Sequence, residues 1–198
     1  MQHPARAHSF RAHSVLAGLA ALGASVILVA AACDAGPSST DQPVAVGGRV
    51  VAEGFVLEVR LPSQTFATTD AIPVRTTLTW TGAPGGGRIW GSGSGPVSFT
   101  FNELGGAGRT MGGAMTADCG MKEFPAGVPT EITVAKSGGW TGEDPNAAFY
   151  QAWYKDPALH LPAGRWQMRV SVGGFLAPCE MGARTIEASV GPIDLLVR

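Results

Sequence analysis

The chain has 198 residues and a formal net charge of −1 that is spread unevenly along its length. The first 32 residues carry Arg6 and Arg11 and no carboxylate, whereas the chain from Cys33 onward holds 12 basic against 15 acidic residues, or −3. A mildly acidic foldable part without a basic run excludes a nucleic-acid binder, and with His160 as its single histidine it lacks the ligands of most metal and catalytic constellations.

Val15 to Ala32 form an uncharged run of 18 residues, preceded by the arginine-containing stretch and closed by small residues. That is the tripartite pattern of a secretory signal peptide over residues 1–32. Ala30-Ala31-Ala32-Cys33 resembles the lipobox of bacterial lipoproteins, although Ala30 stands where a leucine is usual. The resemblance implies a thioether-linked lipid on Cys33, cleavage before it, acylation of the new amino terminus with a palmitate-type chain, and residence on the extracytoplasmic face of the cell membrane. Two alternatives use the same residues. An Ala-x-Ala site releases a soluble protein with a free Cys33 thiol, or the run stays as an uncleaved anchor near the lower length limit for a bilayer span.

Residues 33–47 include Asp34-Ala-Gly-Pro-Ser-Ser-Thr-Asp-Gln-Pro43, a stretch without apolar periodicity. It buries too little apolar surface to offset its ordering entropy and reads as a flexible tether. The expected folded domain is 48–198, about 150 residues and one domain's worth. With Cys33 set aside, Cys119 and Cys179 remain, and an oxidising compartment favours a disulfide between them over two buried thiols.

Period-two alternation runs through this domain. Phe55, Leu57, Val59 and Leu61 alternate with Val56, Glu58 and Arg60; Val74, Thr76, Leu78 and Trp80 alternate with Arg75, Thr77 and Thr79. Val97, Phe99 and Phe101 follow Gly95-Pro96, and Ile132 and Val134 follow Pro129. Asn146 to Lys155 lacks β-branched residues and predicts the one short helix, with Asp144 as a candidate cap and Pro145 in the first turn. Trp166, Met168, Val170 and Val172 form a further strand, and Ile186, Ala188 and Val190 are separated from Ile193, Leu195 and Val197 by Gly191-Pro192, which predicts a bulge or an edge. Glycine-rich turns lie between these runs, so the expected fold is all-β: an antiparallel, immunoglobulin-like β-sandwich of seven or eight strands with one short helix.

Pro125-Ala126-Gly127 before the strand at Ile132, and Leu161-Pro162-Ala163-Gly164-Arg165-Trp166 opening another, resemble the paired Pro/Gly turns of the BsuPI-type proteinase inhibitor domain. Phe55 to Val59 followed by Ala71 to Trp80 is similar to that family's first hairpin, with Thr81-Gly82 where the family usually has an asparagine. The resemblance spans about residues 50 to 175 and implies an Ig-like sandwich; it carries no inhibitory residue over by position.

Catalytic signatures are absent from the pattern. Gly91-Ser92-Gly93-Ser94-Gly95 precedes Pro96 and a strand rather than a helix, so it is no nucleophile elbow, and the glycine loops lack a phosphate-cradling Gly-Lys-Ser/Thr ending. The feature with binding character is aromatic: Trp140, Phe149, Tyr150, Trp153 and Tyr154 lie within 15 residues. On a helix Phe149 and Trp153 share one row and Tyr150 and Tyr154 the next, so one row is expected to dock while the other faces outward. The candidate binding surface is therefore Trp140, Tyr150, Trp153 and Tyr154, with packing over an open end of the sandwich as the alternative. The expected protein is a non-enzymatic, lipid-anchored binding or accessory domain of the cell envelope, without cofactor or metal, for an unidentified protein or glycan partner. The alternatives are a secreted proteinase inhibitor and a carbohydrate-binding module.

Overall fold

The computed structural model describes residues 46–180 and 182–198; the expected signal peptide, Cys33 and most of the tether lie outside them. Eleven strand segments and one helix follow in order: β1 Val46–Ala52, β2 Phe55–Leu61, β3 Thr65–Phe66, β4 Arg75–Trp80, β5 Gly87–Gly91, β6 Val97–Glu103, β7 Thr110–Gly112, β8 Gly120–Phe124, β9 Thr130–Ile132, α1 Ala147–Lys155, β10 Gly164–Phe175 and β11 Thr185–Val197. The expectation of an all-β sandwich with one short helix holds, with more and shorter strands than the periodicity implied.

One sheet has the order β1-β2-β4-β9, and the other β3-β11-β10-β5-β8 with β6 beside β10 and β7 beside β6. The ladders are antiparallel except where β3 runs parallel to β11 through Leu196↔Thr65 and Val197↔Phe66. β10 serves two partners along one edge: Trp166 to Val172 pair with β6, and Phe175 pairs with Trp90 of β5.

The alternation read from the sequence becomes the core. Phe55, Leu57, Val59 and Leu61 of β2 and Trp166, Met168, Val170 and Val172 of β10 are all buried, and they join Phe99, Phe101, Ile89 and Leu78 in one cluster. Each such side chain contributes about 1.5–3 kcal/mol through the water it leaves. The step at Gly191-Pro192 is a bulge: Met168 pairs with Ile193 but Val170 pairs with Val190, so two residues of β11 oppose Arg169 alone. The extra residue resets the parity, and Val190 and Ile193 both face inward although they are three positions apart.

β1 begins at Val46, two residues inside the expected tether, and pairs along its whole length with β2. Glu53 and Gly54 join the two strands with φ of 52° and 80°, the two positive values that a tight two-residue hairpin requires. The strand expected to hold both Ile132 and Val134 stops at Ile132. Cys119 and Cys179 form a disulfide, tying the chain just before β8 to the loop between β10 and β11. In the Gly91–Gly95 segment, Gly91 ends β5 and Ser92 to Gly95 form a turn whose Ser92 hydroxyl lies 2.6 Å from Ser94 Oγ and 2.8 Å from Thr116 Oγ1.

Candidate functional site

The helix starts later than the position of Asp144 suggested. Asn146 occupies the cap position without a side-chain cap bond. Asp144 accepts the Asn146 N–H on Oδ1 at 2.7 Å and the Ala147 N–H on its main-chain oxygen at 2.9 Å, forming the turn that leads into α1.

The aromatic residues divide differently from the expected rows. Tyr150 and Trp153, three apart, are the buried pair at 8% and 5% exposure, while Phe149 and Tyr154 are half-buried. Tertiary partners select this stripe, because each buried ring must satisfy its polar tip. Tyr150 Oη donates to the Thr110 carbonyl at 3.3 Å, and Trp153 Nε1 donates to the His160 carbonyl at 3.1 Å. These two members of the candidate binding surface are core residues.

Trp140 has a different position. It is 38% exposed, with its ring stacked on Tyr154 at 5.2 Å and 14° and on Tyr150 at 6.4 Å and 29°. Tyr154 donates to the Ser137 carbonyl at 2.6 Å, and burial raises its phenol above the ordinary range. Of the four residues expected at the surface, Trp140 is exposed, Tyr154 is half-buried, and Tyr150 and Trp153 are buried.

Lys136, which has no motif around it in the sequence, closes the far end of the helix. Its Nζ donates to the carbonyls of Trp153 and Asp156, both at 2.7 Å, and lies 4.6 Å from the centre of the Trp153 ring. Carbonyls of a last helical turn lack intrahelical donors and carry partial negative charge, so a cation there is favourable. Burial still lowers the Lys136 pKa, and the nearby Asp156 carboxylate opposes that shift. His160 lies beside this end, with Nδ1 2.6 Å from Asp156 Oδ2.

The two sides of the sandwich differ. On one, β1 of the first sheet packs against β11 of the second. On the other, edge strands β9 and β8 stand apart around a groove of about 320 Å³ lined by Val97, Lys122, Phe124, Glu131, Ile132 and neighbouring residues. A second cleft of about 510 Å³ opens where β4 and β9 diverge after the Thr76↔Ile132 pair, lined by Ile72, Val74, Arg75, Thr76, Val134 and Lys136 among others. The Thr76 hydroxyl at its wall is buried and has no hydrogen-bond partner among the described residues. The sequence did not point to either opening, because both depend on which strands become sheet edges. No protein-family model, no curated protein and no solved structure matches the chain.

Proposed function

We propose that the chain is an extracytoplasmic binding or accessory domain held at a bacterial cell membrane by a lipid on Cys33, without catalytic activity of its own. The observation that carries this reading is the Cys119–Cys179 disulfide, since such bonds persist in oxidising compartments outside the cytoplasm. It agrees with the sequence ahead of the domain, where an arginine-containing start, an apolar run and Ala-Ala-Ala-Cys33 follow one another. Labelling cells with a palmitate analogue tests the anchor. Incorporation that is lost in Cys33→Ala supports it, and an unlabelled wild-type protein overturns it.

A second reading, a carbohydrate-binding module, rests on Trp140. A ring exposed on the surface and backed by Tyr154 offers a rigid apolar face with little side-chain entropy left to lose on binding. Affinity electrophoresis on a set of polysaccharides tests it: retardation abolished by Trp140→Ala supports the reading, and unretarded migration on all of them removes it.

A further inference from the structure

We infer that the groove between β8 and β9 is an acceptor for an extended peptide segment of a partner protein, which adds to the first sheet along the free edge of β9. The inference rests on the reading of the chain as a binding domain and names the chemistry of what it binds. β9 pairs with β4 through Thr76↔Ile132, Thr77↔Glu131 and Leu78↔Thr130 on one side. Among the described residues no other main-chain hydrogen bond reaches Thr130, Glu131 or Ile132, and Val134 to Lys136 have no main-chain partner. Among the described residues β8 likewise pairs on one side, with β5. An unpaired strand edge is a template for another strand.

The walls specify more than a generic strand. Val97 and Phe124 are buried at 9% and 3% exposure and Ile132 is half-buried, so the floor of the groove is apolar. Exposed Lys122 on β8 and exposed Glu131 on β9 stand in the same lining, and neither has an ion-pair partner among the described residues. By contrast Glu123, next to Lys122, is held by Arg88 at 2.8 Å. The complementary occupant is a strand with an apolar residue for the floor, flanked within two positions by an acidic residue for Lys122 and a basic one for Glu131. Opposite charges on a rim select partner and register more than they add affinity.

The test uses the full chain in detergent micelles and a displayed library of random linear twelve-residue peptides. Enriched peptides are expected to share an apolar residue flanked by opposite charges. Methylating alternate backbone nitrogens of an enriched peptide is expected to weaken it by about tenfold or more, since a strand so modified cannot complete a ladder. The double variant Lys122→Glu, Glu131→Lys, at exposed positions that leave the fold intact, is expected to invert the charge order of the selected peptides. The inference is overturned by enrichment of no consensus, or by a consensus indifferent to both N-methylation and charge reversal. It is equally overturned by concentration-dependent amide protection of Thr130 to Ile132 without peptide, which would make a second copy of this chain the occupant. Palmitate labelling is read independently of these outcomes, so failure of the groove and failure of the anchor are told apart.

Discussion

Arg109 and Glu103 form a two-point ion pair, with Nε 2.8 Å from Oε2 and Nη2 2.7 Å from Oε1. Their side chains are 15% and 5% exposed, and the guanidinium lies 4.4 Å from the centre of the Phe149 ring and 5.5 Å from that of Trp166. The pair thus joins the β6–β7 hairpin to α1 and β10. Its hydrogen bond lowers the Glu103 pKa and raises that of Arg109, with burial opposing both shifts. Removing one partner leaves the other charge buried and unpaired, so Glu103→Ala and Arg109→Ala are each expected to cost about 3 kcal/mol. Replacing both with apolar residues of similar volume, Glu103→Leu with Arg109→Met, should recover most of that loss. Urea unfolding of the three variants measures the difference.

Lys136 anchors the other end of the same helix through the Trp153 and Asp156 carbonyls. Lys136→Met keeps the apolar stem over Trp153 and deletes both hydrogen bonds. The desolvation of the ammonium offsets part of their worth, and a net loss of about 1–2 kcal/mol is expected. Amide exchange is the discriminating measurement: the last turn, Ala152 to Asp156, should open before the sheets do, whereas unchanged protection there would assign Lys136 no capping role.

Strands whose inward face carries large apolar residues at period two, β2, β4, β6, β10 and β11, were legible in the sequence, as was α1 from its missing β-branched residues. β1 is hidden by Gly47-Gly48, which straddle the expected boundary between tether and domain. A Cβ on Gly47 would fall inside the Val59 carbonyl, and one on Gly48 would lie 2.7 Å from Val190 Cγ1, so these glycines permit close approach within a strand rather than marking a loop. β8 was hidden for another reason: its exposed Met121 breaks the alternation, and Phe124 is its one deeply buried side chain. The spacing marks the aromatic cluster but not which of its rings are buried. Helical spacing gives neighbours on a face and cannot say that Tyr150 and Trp153 are the pair with carbonyls waiting at Thr110 and His160.

Trp80 is enclosed by glycines, and that enclosure is testable. Cβ atoms built on Gly54 and Gly87 lie 2.6 Å from its ring, the latter also 2.7 Å from Phe55 Cζ, and one on Gly82 would overlap the ring. Trp80 packs at 4.8 Å and 57° against Phe55 and donates its Nε1–H to the Ala83 carbonyl, two contacts that any shift of the ring would weaken. Gly87→Ala is expected to destabilise by about 1–3 kcal/mol through overpacking and to shift tryptophan emission. Gly139→Ala, where a Cβ meets nothing within 4 Å, should stay within about 0.5 kcal/mol of wild type. Equal effects at the two positions would refute the enclosure.

Acid should loosen the helix end before the sheets. The His160 hydrogen bond, then the Ala158 N–H, hold the Asp156 carboxyl below its ordinary value. A depressed folded pKa contributes stability that is present above the unfolded value of about 3.9 and lost as pH falls through the folded value. Asp156→Asn is therefore expected to be less stable than wild type at neutral pH and to converge with it in strong acid. A difference in unfolding free energy that stays constant from neutral pH to about pH 2 would contradict this.

The disulfide ties down an edge strand that has a single neighbouring strand among the described residues. β8 is an edge strand paired with β5, and Cys119 lies immediately before it, 60 positions from Cys179. Closing a loop of that length stabilises the folded chain by roughly 4 kcal/mol in the chain-entropy model. Cys119→Ser with Cys179→Ser should lower the urea midpoint accordingly. The amides of β8 should lose more exchange protection than those of β10, which is paired on both edges. Because β8 is also one wall of the peptide groove, the double serine variant should bind any selected peptide more weakly even under conditions where the sheets remain folded. Unchanged binding there would mean that β9 and the chain around Val97 shape the groove without a fixed β8.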